Sequence, residues 1–560
     1  MSLTLLALAF ILLLSAAYRL YGGWIARQFS VSDENITPAN KVNDGIDFVP
    51  TRKFYLFAQH FSAIAAAGPI AGPIIACQAW GWVPCLLWIS LGVVLIGAVH
   101  DFSSLTASVR HGAKSIAEIA REHLGPRAGL AMMAFIWIAL VYVIISFTEI
   151  TASSFTSLIE ELDGIPIGFN AGGAVAAASM MYLLLAVLMG LVQKFLKPPL
   201  WIVTAIFVPA TLFVAWLGTQ VSTLFLLDAR TWGMLILAYC AVASVIPVWS
   251  LLQPRGYLGG FVLFMALGLG VIGVLFGGYE VKADAFKSWD IGGMTGTLFP
   301  FLFVTIACGA CSGFHGLVCS GTTSKQVDRE SHMQTVGYGG MLAEGFVALI
   351  ALVTIMVVSS EDIQGMRPGR IYGNGIGQFL TIIIGKENLP FAITFGAMAF
   401  STFVFDTLDV STRLGRYILQ ELFGWRTRVG AAVAAAITIS VPAYILAFAD
   451  KDAYVKFWTL FGSSNQLLAA LSLLAITVWL YRARKRIWFT LLPMLFVLTI
   501  TLWSLVRLTI GNIQAARGFG IEMVNALAAV SLILLSIFLV YKALVKFREK
   551  RSSGVAVDAV

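Results

Sequence analysis

Charge is what this sequence has least of. Of 560 residues only 12% are Asp, Glu, Lys or Arg, against 59% hydrophobic, and mean hydropathy is +0.87. A soluble globular domain carries roughly a quarter charged residues, so the composition excludes that class and marks a polytopic membrane protein. Long polar stretches are missing too, and with them any soluble catalytic domain. The chain reads as a single transmembrane domain, 1–560, and not as an enzyme. It has no phosphate loop, which argues against an ATP-driven pump. Cysteine is scarce, and Cys77, Cys85, Cys240, Cys308, Cys311 and Cys319 all fall in apolar runs. A disulfide framework is therefore not expected. No basic segment precedes the first apolar run, Leu3 to Ala17, and Arg19 follows it. That pattern fits a retained span rather than a cleaved signal peptide. The net charge of +8 sits in short loops, so it indicates no nucleic-acid partner.

In place of charge there is apolar length. About 15 runs meet the roughly 20-residue requirement of a bilayer. They are 3–21, 54–82, 83–109, 128–157, 172–192, 200–219, 231–251, 257–278, 295–323, 336–359, 390–412, 429–448, 455–481, 487–507 and 523–543. With the N-terminus outside and strict alternation, the inner segments hold 27 of the 37 Lys and Arg. The positive-inside rule thus gives an all-α membrane protein, N-out and C-in. Outer loops are often acidic, as at Glu160-Glu161-Leu162-Asp163. Ser115–Arg121 has helical spacing suited to the inner surface, and 371–384 reads as an outer re-entrant or interfacial piece. The basic tail from Lys546 is suited to anionic headgroups.

Two spans carry interruptions. Residues 59–78 read QHFSAIAAAGPIAGPIIACQ, with Gly68-Pro69 and Gly72-Pro73 in the middle of an apolar run. Proline deletes a backbone donor and disfavours helical angles in the residue before it. The spacing predicts two half-helices with an unwound centre near 67–72, and Pro73 in the first turn of the second half. Residues 295–323 read TGTLFPFLFVTIACGACSGFHGLVCSGTT, with Gly309, Gly313, Gly316 and Gly321 crowding the second half. Glycine also serves close helix packing in membranes, so each has that plainer reading. The loop count makes these two spans run in opposite directions. Paired interruptions of opposite sense are the trace of an inverted repeat, with cargo held between the breaks. Gly68, Pro69, Gly72, Gly309, Ser312, Gly313 and His315 are the candidate cargo-binding residues.

Ionisable residues inside spans are costly and need a reason. His60, Glu149, Glu344, Asp406 and Thr407 are the candidates for proton or cation coupling. For Asp406 the alternative is a salt bridge or cap near Arg413, and for Asp409 that reading is preferred. His60 and His315 titrate in the physiological range when unperturbed, although a satisfied buried histidine is the commoner case. His100-Asp101 ends the third span and reads as organising an inner gate or the loop at Arg110. Cys308, Cys311, His315 and Cys319 give C-x2-C-x3-H-x3-C, roughly one face of a straight helix. That set suits a zinc or iron–sulfur centre, or simply cysteines packed as small apolar residues. No other cofactor is expected.

The stretches HFSAIAAAGPIAGP (60–73), GAVHDFSSLTASVRHGAKSIAEIA (97–120), ACGACSGFHGLVCSGTTSKQ (307–326) and GYGGMLAEGFVAL (337–349) resemble the carbon starvation protein A family. The resemblance implies the amino acid–polyamine–organocation transporter fold, whose core is a five-plus-five inverted repeat with two discontinuous helices. On that fold 54–192 starts the first repeat, 193–294 holds intervening spans, 295–481 is the second repeat, and 482–560 is peripheral. Span 390–412 then becomes the third helix of the second repeat, with Ser401, Thr402, Asp406 and Thr407 facing the inner end of span 54–82. The resemblance further implies a bacterial inner membrane and an importer of peptides, or of pyruvate coupled to protons. Such a cargo presents a small carboxylate. The chain departs from long family members in lacking their extra C-terminal spans. The competing class is a membrane-embedded metal or redox protein built on Cys308, Cys311, His315 and Cys319.

Overall fold

The computed structural model describes residues 2–45, 47–65, 67–156, 161–162, 165–166, 169–359, 365–448, 454–518 and 520–549. The acidic loop at 160–163 and the tail beyond 549 lie largely or wholly outside them. Helices dominate, because a chain this apolar can satisfy its backbone in lipid only within helices or a closed barrel. Among the described residues, 12 helices are long and apolar enough to cross a membrane. The other three expected spans are the bent pair Lys53–Ile64 (α2) and Gly68–Trp80 (α3), the broken pair Leu298–Thr305 (α11) and Gly313–Gly321 (α12), and the shorter Ala229–Val245 (α9).

In chain order the remaining helices begin with α1 (Leu3–Gln28), α4 (Trp82–Arg110), α5 (Ile116–Leu124) and α6 (Pro126–Phe155). Next come α7 (Ala171–Phe195), α8 (Leu200–Gln220) and α10 (Leu252–Phe276). After α12 follow α13 (Gln334–Met356), α14 (Pro368–Ile384), α15 (Leu389–Phe423) and α16 (Arg428–Phe448). The chain closes with α17 (Tyr454–Arg482), α18 (Trp488–Ala515) and α19 (Ile521–Arg548).

The element order repeats itself. A broken helix, a helix containing a π turn, a short helix and a long helix occur as α2/α3, α4, α5 and α6. They occur again as α11/α12, α13, α14 and α15. The π turns are Val93–Gly97 and Gln334–Tyr338. The short helix α5 starts on a capping box, Ser115 with Glu118, which satisfies two orphan N-terminal donors. Its counterpart α14 departs from the interfacial reading of 371–384. It is a buried helix packed on α15, α10, α13 and α3.

The segments expected inside meet one another at one end of the molecule. Arg110 holds Glu330 at 3.0 Å and donates to Ser30 O, while Lys485 Nζ donates to Ser30 Oγ. The C-terminal helix reaches the same end, where Tyr481 OH donates to Phe547 O. The expected outer segments gather at the other end. Trp82 and Val83 N–H donate to the Asp284 and Ala285 carbonyls, and Lys287 N–H donates to Trp80 O. Ser2, at the start of the chain, pairs with Glu280. The chain therefore begins at one end and finishes at the basic one.

Candidate functional site

The first interruption falls at 65–67, slightly before the expected centre, with Ala66 outside the described residues. Pro69 rather than Pro73 takes the first-turn position, because a proline at N2 loses no intrahelical bond. Pro73 lies inside α3. The second interruption, 306–312, is longer and falls where the glycines and Ser312 cluster.

The two broken helices run antiparallel along their whole length. Thr51 N–H donates to Gln326 O at 3.0 Å, and His60 Nδ1 lies 2.9 Å from Thr323 Oγ1. Gly68 sits against the Cys308 side chain, and a Cβ on Gly72 would lie 2.6 Å from Thr305 O. At the far end Trp80 Nε1 donates to Gly296 O at 3.0 Å. The two interruptions therefore face each other directly. Gly72 is glycine because two backbones meet there.

Carbonyls freed where α11 ends find side-chain donors, as buried backbone must. Trp88 Nε1 lies 3.2 Å from both Phe303 O and Ile306 O, Trp458 Nε1 donates to Thr305 O, and Gln466 to Phe303 O. Across the break, Asn465 Oδ1 accepts from Phe314 N–H at 2.9 Å, and Asn465 Nδ2 donates to Ser312 Oγ at 3.1 Å. Trp88, Trp458, Asn465 and Gln466 were not singled out from sequence. The available signal was Asn465-Gln466, two adjacent amides inside an apolar span.

Beside this junction lies a buried polar chain. His100 Nδ1 and His315 Nδ1 each lie 2.8 Å from one oxygen of Asp101. His315 Nε2 then lies 2.9 Å from Glu344 Oε2. His60 packs on Gly340, one turn before Glu344 on the same face of α13, and His100 packs on Gly316. His60 Nε2, His100 Nε2 and Glu344 Oε1 are buried without a hydrogen-bond partner. With both histidine Nδ1 groups donating to Asp101, bare lone pairs on His315 Nε2 and Glu344 Oε2 would repel at 2.9 Å. A proton must lie between them, on one or the other.

Several expectations change here. The sequence pattern places His315 with cargo, but both its ring nitrogens face carboxylates. Asp101 turns to His315 rather than to the loop at Arg110, which binds Glu330 instead. Glu344 is fully buried in the middle of α13. Gly313 packs on Asn465 and Leu468 of α17, and Gly309 on Ala348, so both fit the plainer packing reading. Ser312 is tied to Asn465. The cysteines do not share a helix face, because Cys308 and Cys311 lie in the interruption and only Cys319 lies on α12. Cys308, Cys311, His315 and Cys319 do not converge as a metal-ligand group among the described residues.

A second charged cluster sits on α15. Arg255 of α10, buried, bridges Asp406 at 2.5 Å and Asp409 at 2.6 Å, and Tyr239 donates to Asp409. Arg413 is not their partner; it donates to the Ala243 and Ile246 carbonyls at the end of α9, which Pro247 leaves without further helical donors. Asp406 is linked to the broken helix through α10, where Gly259 touches Asp406 and Gly260 touches Ser62 of α2. Ser401 Oγ bonds Ser179 Oγ, and Thr407 donates to its own helix at Phe403 O. Thr402 Oγ1 is buried and unpartnered. Glu149 lies near the far end of α6, 3.8 Å from Arg367, rather than at relay depth. Arg255 was missed because it looked like a loop cation; its position just after Pro254, at the start of an apolar run, was the signal.

The profile of the carbon starvation protein CstA family matches residues 1–374 and 364–504. The chain belongs to this family. The Bacillus subtilis "Peptide transporter CstA" is 31% identical over 98% of this chain and 98% of its own length. The Campylobacter jejuni "Peptide transporter CstA" is 31% identical, over 94% of this chain and 82% of its own. The Escherichia coli "Pyruvate/proton symporter BtsT" is 29% identical, over 87% and 79%. The match runs along nearly the full length of the Bacillus relative. A crystal structure of the Eremococcus coleocola manganese transporter aligns over 90% of this chain and 99% of its own, at TM-score 0.44 and 14% identity, too loosely to carry an inference. The protein is a multi-pass transporter of the bacterial inner membrane.

Proposed function

We propose that this CstA-family transporter is a secondary importer that moves a small carboxylate, pyruvate or the end of a short peptide, together with a proton. The observation that carries the reading is the meeting of two antiparallel interruptions beside the Asp101–His315–Glu344 chain. Helix α3 directs its positive N-terminal end, Gly68-Pro69, into the junction, and a helix N-terminus favours an anion. The N-terminus of α12 already has a partner in Asn465, so α3 is the better anchor for cargo carboxylate. The proton held between His315 and Glu344 is the coupling charge. His60 and His100 offer unpartnered nitrogens along the same chain, to pass a proton or to meet cargo.

The repeated element order supports a five-plus-five inverted repeat, with 54–192 opening the first repeat, 193–294 intervening, 295–481 the second, and 482–560 peripheral. The basic end is then cytoplasmic by the positive-inside rule. Arg255 with Asp406 and Asp409 forms an ion-paired brace between α10 and α15 whose loosening accompanies the movement. Relatives carrying peptide and pyruvate names stand at nearly the same identity, so the cargo is chosen by experiment. Purified protein in liposomes is offered labelled pyruvate and labelled dipeptides, with and without an inward proton gradient. Gradient-driven accumulation of one of them, abolished by a protonophore, is the expected result. Uptake indifferent to the protonophore overturns the coupling, and failure of both cargoes overturns the carboxylate.

A further inference from the structure

The basic end carries a group of side chains that transport does not use. His111 follows the last residue of α4, and Glu122 and His123 lie in the last turn of α5. One ligand atom from each of the three falls within 4.8 Å of the others. His111 Nε2 and His123 Nε2 face each other at 2.8 Å. His111 Nδ1 lies 2.6 Å from Ala107 O, so that nitrogen is the N–H donor and Nε2 carries the lone pair. A backbone carbonyl fixing the tautomer in this way is the usual support of a metal-binding histidine. His123 is buried, and its Nδ1 has no partner, so the ring can move its proton there and free Nε2. Trp479 of α17 stacks edge-on against His111, with centroids 5.1 Å apart, and holds the ring in place.

We infer that His111, Glu122 and His123 form a site for a divalent transition metal, zinc being the best fit. Two imidazoles and one carboxylate match a His2Glu zinc set with a fourth position open. Imidazole donors favour zinc over magnesium or calcium, which prefer all-oxygen shells. Zinc–nitrogen bonds of about 2.0–2.1 Å in a tetrahedral shell need the two Nε2 atoms to part by about half an ångström. The last turn of α5, exposed on one side, can give that much. The charged neighbours are Lys114, whose Nζ donates to Glu122 Oε2 at 2.7 Å, and Arg482 near His123. Lys114 is about half-exposed and can swing away, leaving the carboxylate to the ion. Neutral imidazole is the form that binds metal.

An ion there fastens the end of α4 to α5. Helix α5 rests on α6, α17 and α19, so one small site ties together the basic ends of five helices. Asp101 lies on α4, ten residues before His111. The clamp therefore holds the helix that carries Asp101, the carboxylate that His100 and His315 both face.

The test uses full-length protein in detergent, stripped with chelator, then titrated with cobalt alone and, separately, with zinc alone. The expected result is one cobalt per chain with the visible absorption of a tetrahedral site, displaced by zinc, and a raised Tm in zinc. E122Q lies at the half-exposed surface and leaves the fold intact; it should weaken zinc by at least about tenfold. H111Q should abolish the cobalt spectrum. Wild-type protein that takes up no cobalt overturns the site, leaving only a histidine–histidine hydrogen bond. Equal cobalt binding by wild type, E122Q and H111Q also overturns it, placing the metal elsewhere. Neither readout depends on transport, so the site stands or falls apart from the cargo reading.

Discussion

At the scale of single residues, the buried chain Asp101–His315–Glu344 is where the proposed coupling can be tested. Glu344→Gln keeps the size of the side chain but removes its charge. Proton-driven accumulation should then fall by about 5- to 150-fold, the range of ordinary coupling free energies. Exchange of cargo at equal concentrations should persist, and counterflow in liposomes measures both. His315→Ala acts differently, since it strands two buried carboxylates. Removing one partner of a buried pair costs about 3–5 kcal/mol. That variant should lose stability as well as uptake, visible as a lowered Tm in detergent. The sequence pointed to His315 and Glu344 as costly residues in apolar spans. It did not join them, because Asp101, His315 and Glu344 come from three different helices, and Asp101 lies over two hundred residues before the other two. Nor did it reveal that Asp101, near a predicted span end, is wholly buried.

Among elements, the two broken helices were the most legible feature. Gly-Pro repeats inside an apolar run admit few other readings, and the glycine cluster at 309–321 gave the second. The exact breakpoint was less legible, since either Pro69 or Pro73 can open a helix. The contact at Gly72 yields a clear expectation. Gly72→Ala places a methyl against a backbone carbonyl that cannot swing aside, at about 1–3 kcal/mol for an overpacked site. Uptake should drop sharply while the protein still purifies as a monodisperse species. Helix α5 gives a pH expectation. Burial holds His123 down at about 4, against roughly 6.5 in an unfolded chain. The unfolded form thus binds the extra proton between these values. The stability contributed by docking α5, among His111, Lys114, Glu122 and Arg482, is present above about pH 6.5 and fades as pH falls toward about 4. Amide exchange in 116–124 should accelerate at pH 5 relative to pH 7.5 and stay flat between pH 7.5 and 8.5.

For the whole molecule, the alternation of charged loops was readable because loops of one sign gather at one end. The ion pairs that close that end, such as Arg110 with Glu330, were not, since they join segments over two hundred residues apart. All six cysteines are buried, so a single introduced cysteine gives little background. Lys287→Cys should react with a membrane-impermeant thiol reagent applied outside intact cells, and Lys485→Cys only after the cells are opened. The reverse pattern would invert the orientation.

Trp88 and Trp458 fasten their indole N–H groups onto the carbonyls of the second interruption. Any rearrangement that frees those carbonyls must also release the two rings into a different polarity. The transporter thus carries an intrinsic fluorophore at its second interruption, and cargo addition should register as a shift in emission that Trp88→Phe and Trp458→Phe diminish.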